Sequence, residues 1–548
     1  MASRCTRPDY HRPVTSSLLI AGTTSDAGKT VVVTALCRAF ARRGITVAPF
    51  KAQHMSKNSM VVRSSRGSAD ATDIDTSGSD PDRHAGHGEI GRAQWIQAVA
   101  AGAAPEPAMN PVLLKPGGDR RSHVVVMGQP AGSVSSRDFV DGRAHLAEAA
   151  FAAYDDLASR HDLVICEGAG SPTEINLRAS DYVNMGLARH ADMPVVVVGD
   201  IDRGGVFAAL YGTVALLEAA DQRLLAGFVL NKFRGDASLL TPGLRELEAL
   251  SGRPTLGVFP WHPDLWLDSE DALAVPAPGG VASGGAASAG AATVALRVAV
   301  IRLPRISNFT DVDALGLEPD VELRFVTEPR DLAGADLVVV PGTRATLDDL
   351  DWLRARGLDR AISTHVERGG AVLGICGGCQ MLGREIADTD GTEGRPGARV
   401  DGLGMLGLTT RFVAQKALRL PAGREFGEDV TGYEIHHGRI TRGDDDEFIG
   451  GARRGRVFGT MWHGTLESDG FRSAFLAEVA RGGGAGAAAD GRAGWVREAS
   501  GVSFGRAREA RLDLLADLAE EHLDLDALLG LAQAGAPAMP LLEPGASR

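Results

Sequence analysis

Two short stretches of this chain carry residue types whose spacing can do chemistry. The first is Gly22-Thr-Thr-Ser-Asp-Ala-Gly28-Lys29-Thr30. It follows an apolar run, Ser17–Ala21, and leads into the apolar-periodic stretch Val31–Arg42. Backbone N–H groups at such a strand-to-helix turn cradle phosphate, Lys29 adds a positive charge, and the Thr30 hydroxyl can ligate Mg²⁺. Gly22, Thr23, Asp26, Ala27, Gly28, Lys29 and Thr30 are therefore the expected ATP-binding residues. The spacing departs from the commonest P-loop: five residues separate Gly22 from Gly28, where four are usual. The plainer reading is a glycine-rich turn with no ligand, and Lys-Thr after the second glycine speaks against it.

The second stretch is Gly374-Ile-Cys376-Gly377-Gly378-Cys379-Gln380, after the apolar run Ala371–Ile375. A cysteine among small residues on a sharp strand-to-helix turn presents its sulfur, and a helix N-terminus favours the thiolate. Far downstream, Gly459-Thr-Met-Trp-His463 supplies a base. Gly342, after the run Leu337–Val340, and Gly377 supply N–H groups for an oxyanion. Cys376 is thus the expected nucleophile and His463 its proton carrier. Glu467 is the nearest acid to that histidine, four residues on. Either Glu467 orients His463 or the site works as a Cys–His pair. Cys376 and Cys379 also spell C-x-x-C, a redox or zinc spacing, but the chain has no second cysteine pair to complete a zinc site.

Other residues fill in around the phosphate loop. The strand-like run Asp162–Glu167 ends in a carboxylate followed by glycines, and Glu167 is placed to share Mg²⁺ with Thr30. Lys51, after the run Thr46–Phe50, is a candidate contact for a phosphate or a carboxylate.

These motifs need rigid elements to hold them. Short apolar runs at Leu163–Cys166, Pro194–Val198, Gly227–Leu230 and Leu296–Ile301 alternate with helical stretches, which predicts α/β architecture with mostly parallel sheets in both halves. Three stretches read as punctuation: a Ser/Asp/Gly-rich insertion at 64–88, a Gly/Ala linker at 276–293 and a Gly/Ala loop at 482–494. The expected division is a P-loop domain at 15–275 and a second domain at 294–535. The second would end in helices, because Arg508–Leu531 is helically periodic.

Composition narrows the class. At 548 residues the chain exceeds what one core supports. Its net charge of −13 argues against nucleic-acid binding through the overall field. Five unevenly spread cysteines are no disulfide framework, so a reducing cytoplasm is expected. The polar start has no signal-peptide core, and no run is long enough to cross a membrane.

The wording goes further than the chemistry. The long-spaced loop resembles the dethiobiotin synthetase-like amide-forming P-loop enzymes. Gly-x-Cys-x-Gly-x-Gln is the pattern of class I glutamine amidotransferases. Strings such as Glu89-Ile-Gly-Arg-Ala-Gln94, Met109-Asn-Pro-Val-Leu-Leu-Lys115-Pro, Arg305-Ile-Ser-Asn-Phe-Thr-Asp-Val-Asp313 and Gly432-Tyr-Glu-Ile-His436 resemble the cobyric acid synthase family from about Leu18 to about Leu531. The resemblance implies ATP- and glutamine-dependent amidation of the b, d, e and g side-chain carboxylates of adenosylcobyrinic acid a,c-diamide. ATP, Mg²⁺, glutamine and the corrinoid would be the small molecules bound, and Asn231 would contact adenine. The chain departs from the family at His54, where Asn is usual, and at Cys379, where an aromatic is usual. Two alternatives stand beside this reading: a cobyrinic acid a,c-diamide synthase, and a regulatory P-loop ATPase with an inactive amidotransferase-like domain. Oligomeric state is not written in the sequence.

Overall fold

The computed structural model describes residues 16–64, 86–116, 121–135, 144–263, 265, 296–481 and 500–542. The first domain is built on apolar runs that are buried along most of their length, as a parallel sheet covered on both faces requires. Six parallel strands lie in the order Thr255–Pro260, Leu225–Phe233, Val195–Asp200, Ser16–Gly22, Leu163–Glu167, Val47–Phe50. Ser16–Gly22 is central and runs straight into the phosphate loop. Its neighbour pairs Ile20 with Glu167, so the carboxylate emerges at the same edge as the loop. The helix Lys29–Arg42 starts after Gly28, whose φ of 94° lies in the left-handed region. A Cβ there would sit 1.9 Å from Asn231 Nδ2, so both conformation and space demand glycine.

The second domain has seven strands in the order Val321–Val326, Leu296–Ile301, Leu337–Val340, Ala371–Ile375, Val457–Thr460, Gly451–Arg454, Asp446–Phe448. The first five are parallel and the last two antiparallel. The expected α/β class with mostly parallel sheets therefore holds in both halves. The central strand Ala371–Ile375 carries Cys376 at its C-terminal end.

The domain division differs from expectation at the C-terminus. Helices Phe504–His522 and Leu525–Ala534, expected in the second domain, pack on the first. Leu512, Leu515, Ala516, Ala519 and Leu528 share one core with Val32, Leu36 and Phe40. The physical reason is that helix Lys29–Arg42 is apolar on the side away from the sheet, and these helices bury it. Arg38 and Arg42 meet Glu509, Asp513 and Asp517 along the seam. Such half-exposed pairs contribute about 0–1 kcal/mol each and set register more than affinity.

Of the 64–88 insertion, 65–85 lie outside the described residues. Its flanks form an antiparallel ribbon, Ser59–Arg63 with His87–Gly91, so His87 and Gly88, expected within the insertion, belong to a strand. The linker 276–293 and the loop 482–494 also lie outside the described residues. Two smaller sheets escaped the sequence reading. One joins Gln53–Met55, Val112–Pro116, Arg121–Val126 and Gln129–Ser135. The other joins Ala398–Asp401, Glu385–Asp388, Leu408–Arg419 and Glu434–Arg442. They flank the domain interface, where Met60 and Val61 of the ribbon pack on Leu418, Tyr433 and Ile435.

Candidate active site

The phosphate loop draws its partners inward. Lys29 is buried, and its Nζ donates to the carbonyls of Thr24 (2.9 Å), Ser25 (3.1 Å) and Gly170 (3.2 Å). Thr30 Oγ1 donates to Glu167 Oε1 at 2.9 Å. Lys51 is also buried and bonds the same oxygen at 2.8 Å, while Gln97 Nε2 donates to Glu167 Oε2 at 2.5 Å. The partner of Lys51 in this structure is thus the protein's own Glu167 carboxylate, beside the phosphate loop. The Thr30 hydroxyl and Glu167 carboxylate side by side form the hard oxygen pair that suits Mg²⁺, which needs few protein ligands beside phosphate and water.

Two expected ATP contacts face other partners. The exposed Asp26 carboxylate pairs with Arg203 at 3.0 Å. Asn231 donates from Nδ2 to the carbonyl of Ala27 at 2.9 Å, so it braces the loop from behind. Gly22 and Thr23 begin the turn, where Thr23 N still donates to Val198 O at 3.0 Å.

At the other site Cys376 has φ 50° and ψ −105°, a conformation that costs a non-glycine residue about 1–3 kcal/mol. The neighbours enforce it: a Cβ on Gly378 would lie 1.9 Å from Val340 O. His463 is fully buried and stacks on Tyr433, with ring centroids 5.2 Å apart. Its Nδ1 lies 2.7 Å from Asp311 Oδ2, and Gly464 N donates to Asp311 Oδ1 at 2.8 Å. That leaves Nε2 for Cys376, which lines the same narrow pocket. Burial alone would push His463 down, but the charge of Asp311 and then of Cys376 outweigh it and raise His463 to about 10. Gly342 lies against His463 and Gly377 against Thr343: added Cβ atoms would come within 2.9 Å of the His463 ring and 2.7 Å of Thr343 Cγ2.

Glu467 is not the acid on His463. Its two oxygens are taken by Arg92 (2.8 Å) and Arg508 (2.6 Å), from the first domain and the C-terminal helix. A turn of 3₁₀ helix, Thr465–Glu467, carries the side chain away from the histidine and into the interface. Asp311 stands in the place expected of Glu467. It lies 152 residues before His463 in the chain, so no local spacing marks it. Its one sequence signal is its place in the string Arg305–Asp313.

Cys379 faces away from this arrangement. It is buried with its Sγ against Gly459, and burial raises its thiol far above the ordinary value. Cys37, Cys166, Cys376 and Cys379 are all free thiols.

One helix touches both sites. Arg92–Ala101 holds Glu467, at the end of the His463 loop, through its first residue and holds Glu167 through Gln97. Beside it, buried Glu89 is bonded by Lys115 of the first domain and Lys416 of the second. Burial would favour protonation of Glu89, but the two lysines hold it ionised.

Comparison with known proteins fits this geometry. Residues 18–274 match the CobQ/CobB/MinD/ParA nucleotide binding domain, and residues 297–471 match the CobB/CobQ-like glutamine amidotransferase domain. A cobyric acid synthase of Mycolicibacterium gilvum is 63% identical over 533 residues, covering 97% of this chain and 100% of that protein. The chain belongs to the cobyric acid synthase family. A cobyric acid synthase of Mycobacterium marinum is 61% identical over 531 residues, covering 96% of this chain and 99% of its own. The protein is thus a glutamine-dependent amide-forming ligase with a nucleotide-binding first domain. Among the described residues no helix is long and apolar enough to cross a membrane.

Proposed function

We propose that this ligase splits its reaction between the two sites, with glutamine hydrolysed at Cys376 and a corrinoid carboxylate activated by ATP at the phosphate loop. The observation that carries the division is His463 bonded to Asp311 and lining one pocket with Cys376, in a different domain from Lys29, Thr30 and Glu167. Cys376 attacks the glutamine carboxamide. His463 gives a proton to the leaving ammonia, water then hydrolyses the glutamyl thioester to glutamate and frees the thiol, and Asp311 keeps the ring oriented and its charge balanced. The N–H groups of Gly342 and Gly377 stabilise the oxyanion.

In the first domain Gly22 to Thr30 bind the ATP phosphates, with Lys29 drawing on their charge. Thr30 and Glu167 would hold Mg²⁺, which when bound neutralises charge on the transferring phosphoryl group. Lys51, already on Glu167, holds that carboxylate in place. The corrinoid carboxylate takes the γ-phosphoryl group and ammonia displaces phosphate, leaving an amide. Ammonia passes between the sites within the protein, which keeps it from protonating in bulk water. Free thiols in the described residues suit a reducing cytoplasm.

The substrate assignment follows the family: the b, d, e and g carboxylates of adenosylcobyrinic acid a,c-diamide. Mass spectrometry after incubation with ATP, Mg²⁺, glutamine and that diamide tests it. Four successive replacements of OH by NH₂ are expected. A product that stops short of the a,c-diamide's further amidation, or amidation of cobyrinic acid itself at a and c, would overturn the assignment.

A further inference from the structure

The pocket at Cys376 is narrow, about 40 Å³, and is lined by Cys376, Gly377, Gln380 and His463 among others. It adjoins a larger cavity of about 710 Å³ between the domains. Five residues line both: Lys115, Arg344, Glu393, Lys416 and His437. The narrow part suits a carboxamide. A glutamine seated there must leave its charged α-carboxylate and α-ammonium at the junction, where each needs an opposite charge.

The candidates at the junction can be sorted. Lys115 and Lys416 are both committed to Glu89. His437 is driven down to about 3 by burial, with Lys416 and Arg344 adding to it, so it is neutral. Arg344 and Glu393 remain, and they are not spent on each other. Their closest N···O approach is 3.8 Å, longer than a hydrogen bond. Both are well buried, with side chains 16% and 5% exposed.

Both are also held in place. Arg344 follows Thr343 directly and its N–H donates to Arg305 O at 3.0 Å. Glu393 Oε2 accepts from Thr346 N at 2.7 Å. The loop carrying Glu393 is tied to Asp388 Oδ2, which accepts from the N–H groups of Glu393 (3.1 Å) and Arg395 (3.0 Å). Burial raises Glu393 to about 7 against the pull of Arg344 and the Thr346 N–H. Arg344 pairs with this carboxylate only at 3.8 Å, without a hydrogen bond, and an ammonium group would supply a closer partner.

We propose that Arg344 and Glu393 grip the α-carboxylate and the α-ammonium of glutamine, and so fix its carboxamide at Cys376. The inference rests on reading that pocket as the glutaminase site. It assigns two residues, one on the loop after Gly342 and one on the loop after Asp388, the task of telling glutamine from other primary amides.

The test uses the full-length enzyme and three amide donors: glutamine, glutaramate (no α-amino group) and 4-aminobutanamide (no α-carboxylate). Each variant's donor-driven amidation is read against its own ammonia-driven rate, which corrects for misfolding. Glu393→Gln should raise KM for glutamine about tenfold or more, the loss of one charge-assisted contact. It should also erase the preference for glutamine over glutaramate while keeping the preference over 4-aminobutanamide. Arg344→Gln should do the reverse. Variants that keep the wild-type preferences, or lose both alike, would overturn the proposal. If Cys376→Ala still draws on glutamine, the glutaminase reading itself fails. If that variant is dead with glutamine but Glu393→Gln discriminates normally, only the present inference falls.

Discussion

The two sites of this protein are assembled in opposite ways. The phosphate-binding part of the first site is local: Gly22 to Thr30 is one loop, and the remote Glu167, Lys51 and Gln97 brace it from neighbouring elements. The cysteine site is collected from remote segments. Asp311, Gly342, Cys376 and His463 come from four separate stretches of the second domain. A local site depends on backbone geometry, while a collected site depends on the sheet that brings its parts together. Substitutions should therefore act on the two in distinguishable ways.

The largest effect should come from Lys29→Ala. It removes the loop's own cation, so amidation with either glutamine or ammonia should fall by about three orders of magnitude. Loss of the glutamine-driven reaction alone would erase the contrast between the sites. Asp311→Asn should come next and affect only glutamine-driven amidation, by about 10²–10⁴-fold. It also has a pH signature. With Asp311 present His463 stays protonated up to about 10, so the alkaline limb of the glutamine-driven reaction should lie near there. Removing the carboxylate lowers the histidine pKa, and the limb should move toward neutrality. A pH profile unchanged by Asp311→Asn would break the assignment.

Glu467→Gln should have a smaller effect. The glutamine-driven rate should change less than about threefold, while thermal denaturation should show a Tm lower by a few degrees because buried Arg92 loses this ion pair. A rate loss as large as that of Asp311→Asn would return Glu467 to the histidine. Cys379→Ala should be smallest, with both activities near normal and at most about 1–2 kcal/mol lost in denaturant unfolding from the small cavity left.

The same contrast explains what the sequence made legible. The phosphate loop could be read because its residues are contiguous and its strand and helix flank it. Cys376 could be read for the same reason, since the elbow is a local turn. Asp311 could not, because only the parallel sheet and the Phe309–Leu317 turn bring it to His463. Glu467 was the nearest acid in sequence, yet a single 3₁₀ turn sent it to the interface. The C-terminal helices were legible as helices from their period, but which domain they cover depends on an apolar face of Lys29–Arg42 that periodicity does not pair. The small sheets at the interface carry polar, irregular strands such as Ala398–Asp401, which give no strong alternation to read.

The division of labour between the sites is tested most directly by Cys376→Ala, with product followed by mass spectrometry under ATP, Mg²⁺ and adenosylcobyrinic acid a,c-diamide. With ammonium salts the variant should carry the diamide through the same amidations as the wild type, and with glutamine it should add none. Amidation from glutamine by the variant would contradict the account, as would failure with ammonia in a variant that still binds ATP.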